Sequence, residues 1–198
     1  MWVSLFLCII LHKMLIGVAG PKNSGKDTFA SVFSSYFNET FAIRPFAEPL
    51  KRICQQMYLL SDEQLHDRQE KEKEDPRWKL SPRQMFQMFG TDYIRKQIDP
   101  DFWVKHFEHW YQAQPQGTNV LVPDIRFQNE LDLIHQLGGK VVFIDRPDAQ
   151  PEEQAKHECE VSACQLQNID FVVHNAGSLL EYYEAIAKTQ EQYSNALI

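Results

Sequence analysis

A five-residue apolar run, Leu15-Ile16-Gly17-Val18-Ala19, leads directly into Gly20-Pro21-Lys22-Asn23-Ser24-Gly25-Lys26-Asp27-Thr28, and this junction constrains the fold more tightly than any other part of the chain. The run has the length and composition of a buried parallel strand. The segment from Gly20 to Thr28 has the G-x-x-x-x-G-K spacing of a phosphate-binding P-loop. Its glycines let backbone N–H groups curl round an anion, and a helix starting at the end of the loop aims its positive terminus at the same point. That helix is legible: Phe29, Val32, Phe33, Tyr36 and Phe37 fall at i, i+3, i+4, i+7 and i+8. Gly20, Asn23, Ser24, Gly25 and Lys26 are therefore expected to cradle nucleotide phosphates, with Lys26 reaching the β and γ oxygens. Asp27 stands where Ser or Thr is usual, and Thr28 lies one place on. A carboxylate there can ligate magnesium directly, act through water, or orient an acceptor phosphate; Thr28 is the fallback hydroxyl. A chance glycine-rich turn before a helix is the plain alternative, and the order strand, loop, helix argues against it.

Three further short apolar runs end in polar residues: 120–122, 141–144 and 171–173; residues 40–43 are a weaker strand candidate. Helical patterns separate them, which predicts an α/β P-loop NTPase with a parallel sheet flanked by helices. Ligands in such sheets gather at the carboxyl ends of the strands. After Val122 come Pro123, Asp124, Ile125 and Arg126. Asp124 is placed to hold magnesium through water, and Arg126 offers a planar fork to a phosphate. A helix-capping cluster with a surface Asp–Arg pair explains the same residues, and spacing alone leaves both readings open. Asp145-Arg146 puts another guanidinium at a strand end, whereas Ser178 with Glu181 reads as a capping box.

The middle of the chain differs in character. Residues 61–77 carry dense mixed charge, expected as a solvated helix or flap rather than a binding surface. Ser81-Pro82-Arg83-Gln84 then predicts a capped helix with Met85, Phe86, Met88 and Phe89 inward, interrupted at Gly90-Thr91. A further helix starts at Asp99-Pro100, with Trp103, Phe107, Trp110 and Tyr111 at helical spacing. Such a stripe is ordinarily core, and Trp103 is singled out as the nucleobase-platform exception.

The chain has 198 residues and a formal charge of −7, from 27 acidic and 20 basic side chains. A hydrophobic content of 43% excludes a disordered chain, and the acidic balance argues against nucleic-acid binding, which needs a basic surface. Cys8, Cys54, Cys159 and Cys164 lack metal-ligand spacing and read as free thiols in a reducing cytoplasm. The apolar stretch from Trp2 is interrupted at Lys13, too soon for a membrane span, and no positive charge precedes it as in a secretory signal. Residues 1–13 are accordingly read as an N-terminal extension, and 14–198 as one kinase-like domain. No Ser–His–Asp, Cys–His or H-E-x-x-H arrangement emerges; His157 fits a lid or a solvated helix equally well.

Four segments together resemble the bacteriophage-type deoxynucleoside monophosphate kinases: residues 20–28, 46–51, 81–103 and 124–130, with Gln87, Gly90-Thr91, Arg95 and Asp99-Pro100-Asp101-Phe102-Trp103 in the third. Weaker similarities lie at 138–139, 146–147, 157–160 and 175–178, so the resemblance runs in family order along nearly all of the chain after Met14. Asp27, unusual for a general P-loop, is ordinary in that family. The resemblance implies a nucleoside-monophosphate-kinase fold and transfer of the γ-phosphate of ATP, with Mg2+, to a deoxynucleoside 5′-monophosphate. Residues 51–115 would form a helical acceptor-binding insertion. Lys26, Asp27, Asp124 and Arg126 would serve catalysis, with Asp27, Thr28 and Asp124 as metal ligands and Arg146 beside ATP. Asp27, Lys51, Arg83, Arg95, Trp103, Asp124, Arg126 and Glu130 would meet the acceptor. Two alternatives stand beside this: a phosphomevalonate or dephospho-coenzyme A kinase of the same fold, and a non-catalytic nucleotide-binding P-loop protein. Small nucleotides are the expected partners, with no nucleic acid and no membrane; a homodimer is left open.

Overall fold

The computed structural model describes residues 13–37, 40–147 and 165–195. In chain order these form β1 (Leu15–Ala19), α1 (Lys26–Ser35), β2 (Phe41–Ile43), α2 (Glu48–Tyr58), α3 (Asp62–His66), α4 (Pro82–Gln87), α5 (Phe102–Gln112), β3 (Asn119–Ile125), α6 (Gln128–Gln136), β4 (Lys140–Asp145), β5 (Phe171–His174) and α7 (Leu179–Asn195). Every described strand pairing is parallel, in the order β2-β3-β1-β4-β5. Ile16 pairs with Leu121 on one side and Lys140 on the other, so β1 is central.

All five residues of β1 are buried, as a strand covered on both faces must be. Alternation sends Ile16 and Val18 to one layer, against Phe29 and Phe33 of α1 and Tyr182, Ile186 and Tyr193 of α7. Leu15 and Ala19 face the other layer, with Phe107 and Tyr111 of α5 and Leu131 and Ile134 of α6. The chain leaves β1 for β2 on one side and later crosses from β3 over β1 to β4. The carboxyl ends of β1 and β3 therefore flank a topological switch point, where α/β sheets hold ligands.

The predicted strands lie where expected, but β3 runs on to Ile125, so Asp124 lies within the strand rather than beyond it. Between β2 and β3 the chain builds helices and turns around a small core of Leu60, Leu65 and Met85. The charged stretch there is no single helix. It breaks into α3, capped reciprocally by Ser61 and Gln64, a tight turn at Glu70–Glu72, and a bridge between Asp75 and Leu80. The capping box at Ser81 and Gln84 forms as predicted.

Two expectations for the helix that begins there are corrected. Gly90-Thr91 does not interrupt it; the backbone widens into π winding over Met88–Ile98, ending in an i→i−5 bond from Asp99 N to Ile94 O at 2.9 Å. Met88 faces outward at 47% exposure, while Met85 is fully buried, because the wider winding breaks the 3.6-residue stripe. Gly90 is needed where the π segment crosses α2: a Cβ would stand 2.5 Å from Leu50 Cδ2. No described helix is long and apolar enough to cross a membrane. Residues 1–12, and with them Cys8, lie outside the described residues, as do His157, Cys159 and Cys164.

Candidate active site

The loop after β1 is shaped by positive φ angles at Gly20 (140°), Asn23 (62°) and Gly25 (103°). Only glycine fits the first and last: a Cβ on Gly20 would stand 2.6 Å from Ile144 O, and one on Gly25 2.7 Å from Asn175 Nδ2. The β5–α7 corner braces the loop from behind. Asn175 Nδ2 donates to Ser24 O at 2.8 Å, and the Tyr182 hydroxyl donates to Gly25 O at 3.0 Å. Ser24 is fully buried, and its Oγ has no hydrogen-bond partner among the described residues.

Lys26 Nζ donates to Gly20 O (2.8 Å) and Pro21 O (2.6 Å), so the ammonium is held over the loop. Arg146 Nη1 donates to Asn23 O at 3.3 Å, which places its guanidinium on the loop side. Asp27 is exposed in the first turn of α1, 3.3 Å from Arg68 Nη2. Among the described residues no three His, Cys, Asp or Glu side chains converge into a metal cage. Magnesium in nucleotide enzymes needs none: it takes one or two protein oxygens plus phosphate oxygens and water. Asp27 and Thr28, both hard oxygen donors in the first turn of α1 at the mouth of the loop, fit that requirement.

Beside the loop opens a second feature, a cleft floored by the ends of β3 and α6 and walled by α2, α4 and the π segment. Lys51, Arg83, Arg95, Trp103, Asp124, Arg126 and Glu130 all line it. Seven of the eight side chains read from sequence as acceptor contacts are thus gathered into one place. Asp27 is not among them and stays with the loop.

Asp124 faces the start of α2. Its two oxygens accept from Phe46 N (2.8 Å) and Ala47 N (3.0 Å), which fixes the turn that carries Lys51. Glu130 is 3% exposed; one oxygen pairs with Arg95 Nη2, and the other accepts from Arg126 N (2.8 Å) and Phe127 N (3.2 Å). Burial pushes its carboxyl above the ordinary value, opposed by the Arg95 charge. Arg95 also lies over the Phe127 ring, 4.1 Å from its centre. Trp103 is 4% exposed and donates from Nε1 to Gly90 O at 3.0 Å. It is packed as core and also lines the cleft.

Sequence reasoning missed Phe46, Phe127 and Lys71, and assigned Phe86 to the core alone; all four line the cleft. Phe46 and Phe127 sit inside the segments 46–51 and 124–130 already singled out, but were given no role there. Lys71 had no such signal, being one of many charges in its stretch.

Comparison with known proteins gives the family. A profile described as deoxynucleotide monophosphate kinase matches residues 60–186. A putative deoxynucleotide monophosphate kinase of Acanthamoeba polyphaga mimivirus is 38% identical over 186 residues, covering 87% of this chain and 94% of that protein. The chain belongs to the deoxynucleotide monophosphate kinase family. Enterobacteria phage T4 deoxynucleotide monophosphate kinase is 31% identical over 55% of this chain, an alignment that takes in 45% of the longer phage protein. Among solved structures, shikimate kinase from Aquifex aeolicus aligns over 93% of this chain and 99% of its own with a TM-score of 0.50 at 20% identity. At that identity the likeness speaks for the fold, which is the P-loop kinase arrangement read from β1 and its loop.

Proposed function

We propose that this family member transfers the γ-phosphate of ATP to a deoxynucleoside 5′-monophosphate. The observation that carries the reading is the cleft: cationic Lys51, Arg83, Arg95 and Arg126 share it with the flat apolar walls of Phe46, Phe86, Phe127 and Trp103, directly beside the phosphate loop. A nucleoside monophosphate has that division, an aromatic base at one end and a phosphate at the other.

The reaction asks little covalent chemistry of the protein, because an acceptor phosphate is already a nucleophile at neutral pH. The loop backbone and Lys26 hold the donor phosphates, with Arg146 beside them. Arg126, whose backbone is held by Glu130, lines the cleft and is assigned to neutralise the transferring group. Asp27 and Thr28 are the residues that would hold magnesium with the nucleotide, and the bound ion supplies charge neutralisation along the phosphates. Asp124 acts here through the start of α2, holding Lys51 in reach of the acceptor. Residues 51–115 serve as the acceptor-binding insertion, and the partners are small nucleotides in the cytoplasm rather than nucleic acid or membrane.

The test is steady-state turnover, read as ADP release, on the four deoxynucleoside monophosphates, their ribose counterparts, phosphomevalonate and dephospho-coenzyme A. Turnover is expected on at least one deoxynucleoside monophosphate. Turnover confined to a non-nucleotide acceptor, or ATP binding with no acceptor phosphorylated, would overturn the reading.

A further inference from the structure

The stretch read from sequence as solvated charge does not face water alone. Asp67 Oδ1 accepts from Gln69 N (2.8 Å) and Glu70 N (2.9 Å), and Lys71 N donates back to Asp67 O (3.2 Å), which sets a tight turn. From that turn the side chains divide. Glu70 and Lys73 pair with each other on the outside. Glu72 Oε1 bridges Lys22 Nζ of the phosphate loop (2.9 Å) and Arg83 Nε of the cleft wall (2.6 Å), while Arg68 reaches Asp27. Residues 67–73 thus form a strap tied to both halves of the site. Lys71, between these ties, lines the cleft.

The Lys71 ammonium has no hydrogen-bond or ion-pair partner among the described residues. Its charged neighbours are Lys51, Arg83 and Arg68, with Asp27 the one opposing charge. Burial, with these like charges, lowers its pKa. A half-buried ammonium among like charges is unfavourable on its own, and it is favourable when an anion enters between the cations. The cations at the loop, Lys22 and Lys26 within it and Arg146 beside it, do not line this cleft, so the anion Lys71 meets is the one the cleft takes.

We propose that Lys71 is a substrate-binding residue that, with Lys51, takes the 5′-phosphate of the acceptor nucleotide, presented by a strap that Asp67 shapes and Glu72 fastens. This rests on the proposed acceptor class, and the test separates the two. Wild type, Lys71→Ala, Lys71→Arg and Lys73→Ala are titrated calorimetrically with each of the four deoxynucleoside monophosphates and with the matching deoxynucleosides, which lack the phosphate. In parallel, kcat and KM are measured for ATP and for the best acceptor.

Loss of a charge-assisted contact to phosphate is expected to weaken monophosphate binding by Lys71→Ala roughly tenfold or more. Arginine should restore part of that loss, and Lys73→Ala should bind as wild type. Deoxynucleoside affinity and the KM for ATP should stay within about twofold of wild type in Lys71→Ala, because the lost contact is to the acceptor phosphate. Monophosphate binding by Lys71→Ala within twofold of wild type would sink the assignment. So would an equal loss for the phosphate-free deoxynucleoside, which is what a merely structural strap predicts. If wild type binds a monophosphate but phosphorylates none, the kinase reading fails while the binding comparison still decides Lys71.

Discussion

A carboxylate sealed from water must be neutralised where it stands, and Glu130 is neutralised on both oxygens, by Arg95 and by two backbone N–H groups. Its place in acceptor binding therefore runs through what it holds: the Arg95 guanidinium against Phe127, and the backbone that carries Arg126. Glu130→Gln leaves the Arg95 charge buried without its counterion, and a cost of about 3 kcal/mol or more is expected. Urea unfolding measures it, and kcat/KM for the acceptor should fall at least roughly tenfold. A variant as stable and active as wild type would remove Glu130 from the positioning of the cleft. Lys26 and Arg126 are different: partly exposed, held by a few contacts, and expected on Lys→Ala or Arg→Ala change to lose most turnover with melting unchanged. Cys54 offers a residue-scale control away from the chemistry. It is fully buried, and burial pushes its thiol up to about 12. Native protein at pH 8 should leave Cys54 unlabelled by iodoacetamide and label it in urea, read by peptide mass spectrometry; ready native labelling would contradict the packing around α2.

Elements differ in how much of their fate is written locally. The loop and α1 are legible in the sequence because glycine spacing, helix periodicity and strand composition all act over neighbouring residues. The capping boxes at Ser81 and Ser178 are legible for the same reason. The π segment is not. Gly90-Thr91 carries the signature of a helix break, yet Leu50 packs into the space a Cβ would fill and Trp103 takes the Gly90 carbonyl, contacts that reach back along the chain by 40 residues and forward by 13. Lys71 is hidden likewise, since a charge run does not say which of its members turns inward.

The Asp75 turn, which closes this insertion, gives an element-scale pH prediction. Asp75 is buried, accepts from Arg77 and Gln64, and lies well below the usual carboxylate range chiefly because of the Arg77 hydrogen bonds. A depressed folded pKa means that its stabilising effect is whole above the ordinary carboxylate value of 3.8 and fades as the pH falls through the depressed folded value. Below about pH 4 the insertion should loosen before the sheet does. The indole N–H resonance of Trp78, which donates to Tyr58 O in the same corner, should report it. Asp75→Asn should show the loosened signal already at pH 7; an unchanged spectrum there would refute the role given to this turn.

At the scale of the molecule, a chain of net charge −7 meets anionic ligands by gathering its cations where two layers part. The sheet fixes one group, Lys26 and Arg146, at the carboxyl ends of β1 and β4; the insertion and β3 bring the other, Lys51, Lys71, Arg83, Arg95 and Arg126, to the cleft. Low-dielectric walls such as Phe127 and Trp103 make such clusters felt more strongly than the opposite overall charge. Two groups on two structural units predict two separable ligand sites. Each ligand at about 100 times its dissociation constant stabilises the native state by about 2.7 kcal/mol, a melting shift of about 5–10 °C for a protein of this size. Magnesium-ATP should therefore raise the melting temperature of wild type and of Lys51→Ala alike, and should fail to do so in Lys26→Ala at the same concentration. A deoxynucleoside monophosphate should raise it in wild type and in Lys26→Ala, and by several degrees less in Lys51→Ala. Loss of both shifts in either variant would mean that one site, not two, binds both nucleotides, and the division between loop and cleft would have to be abandoned.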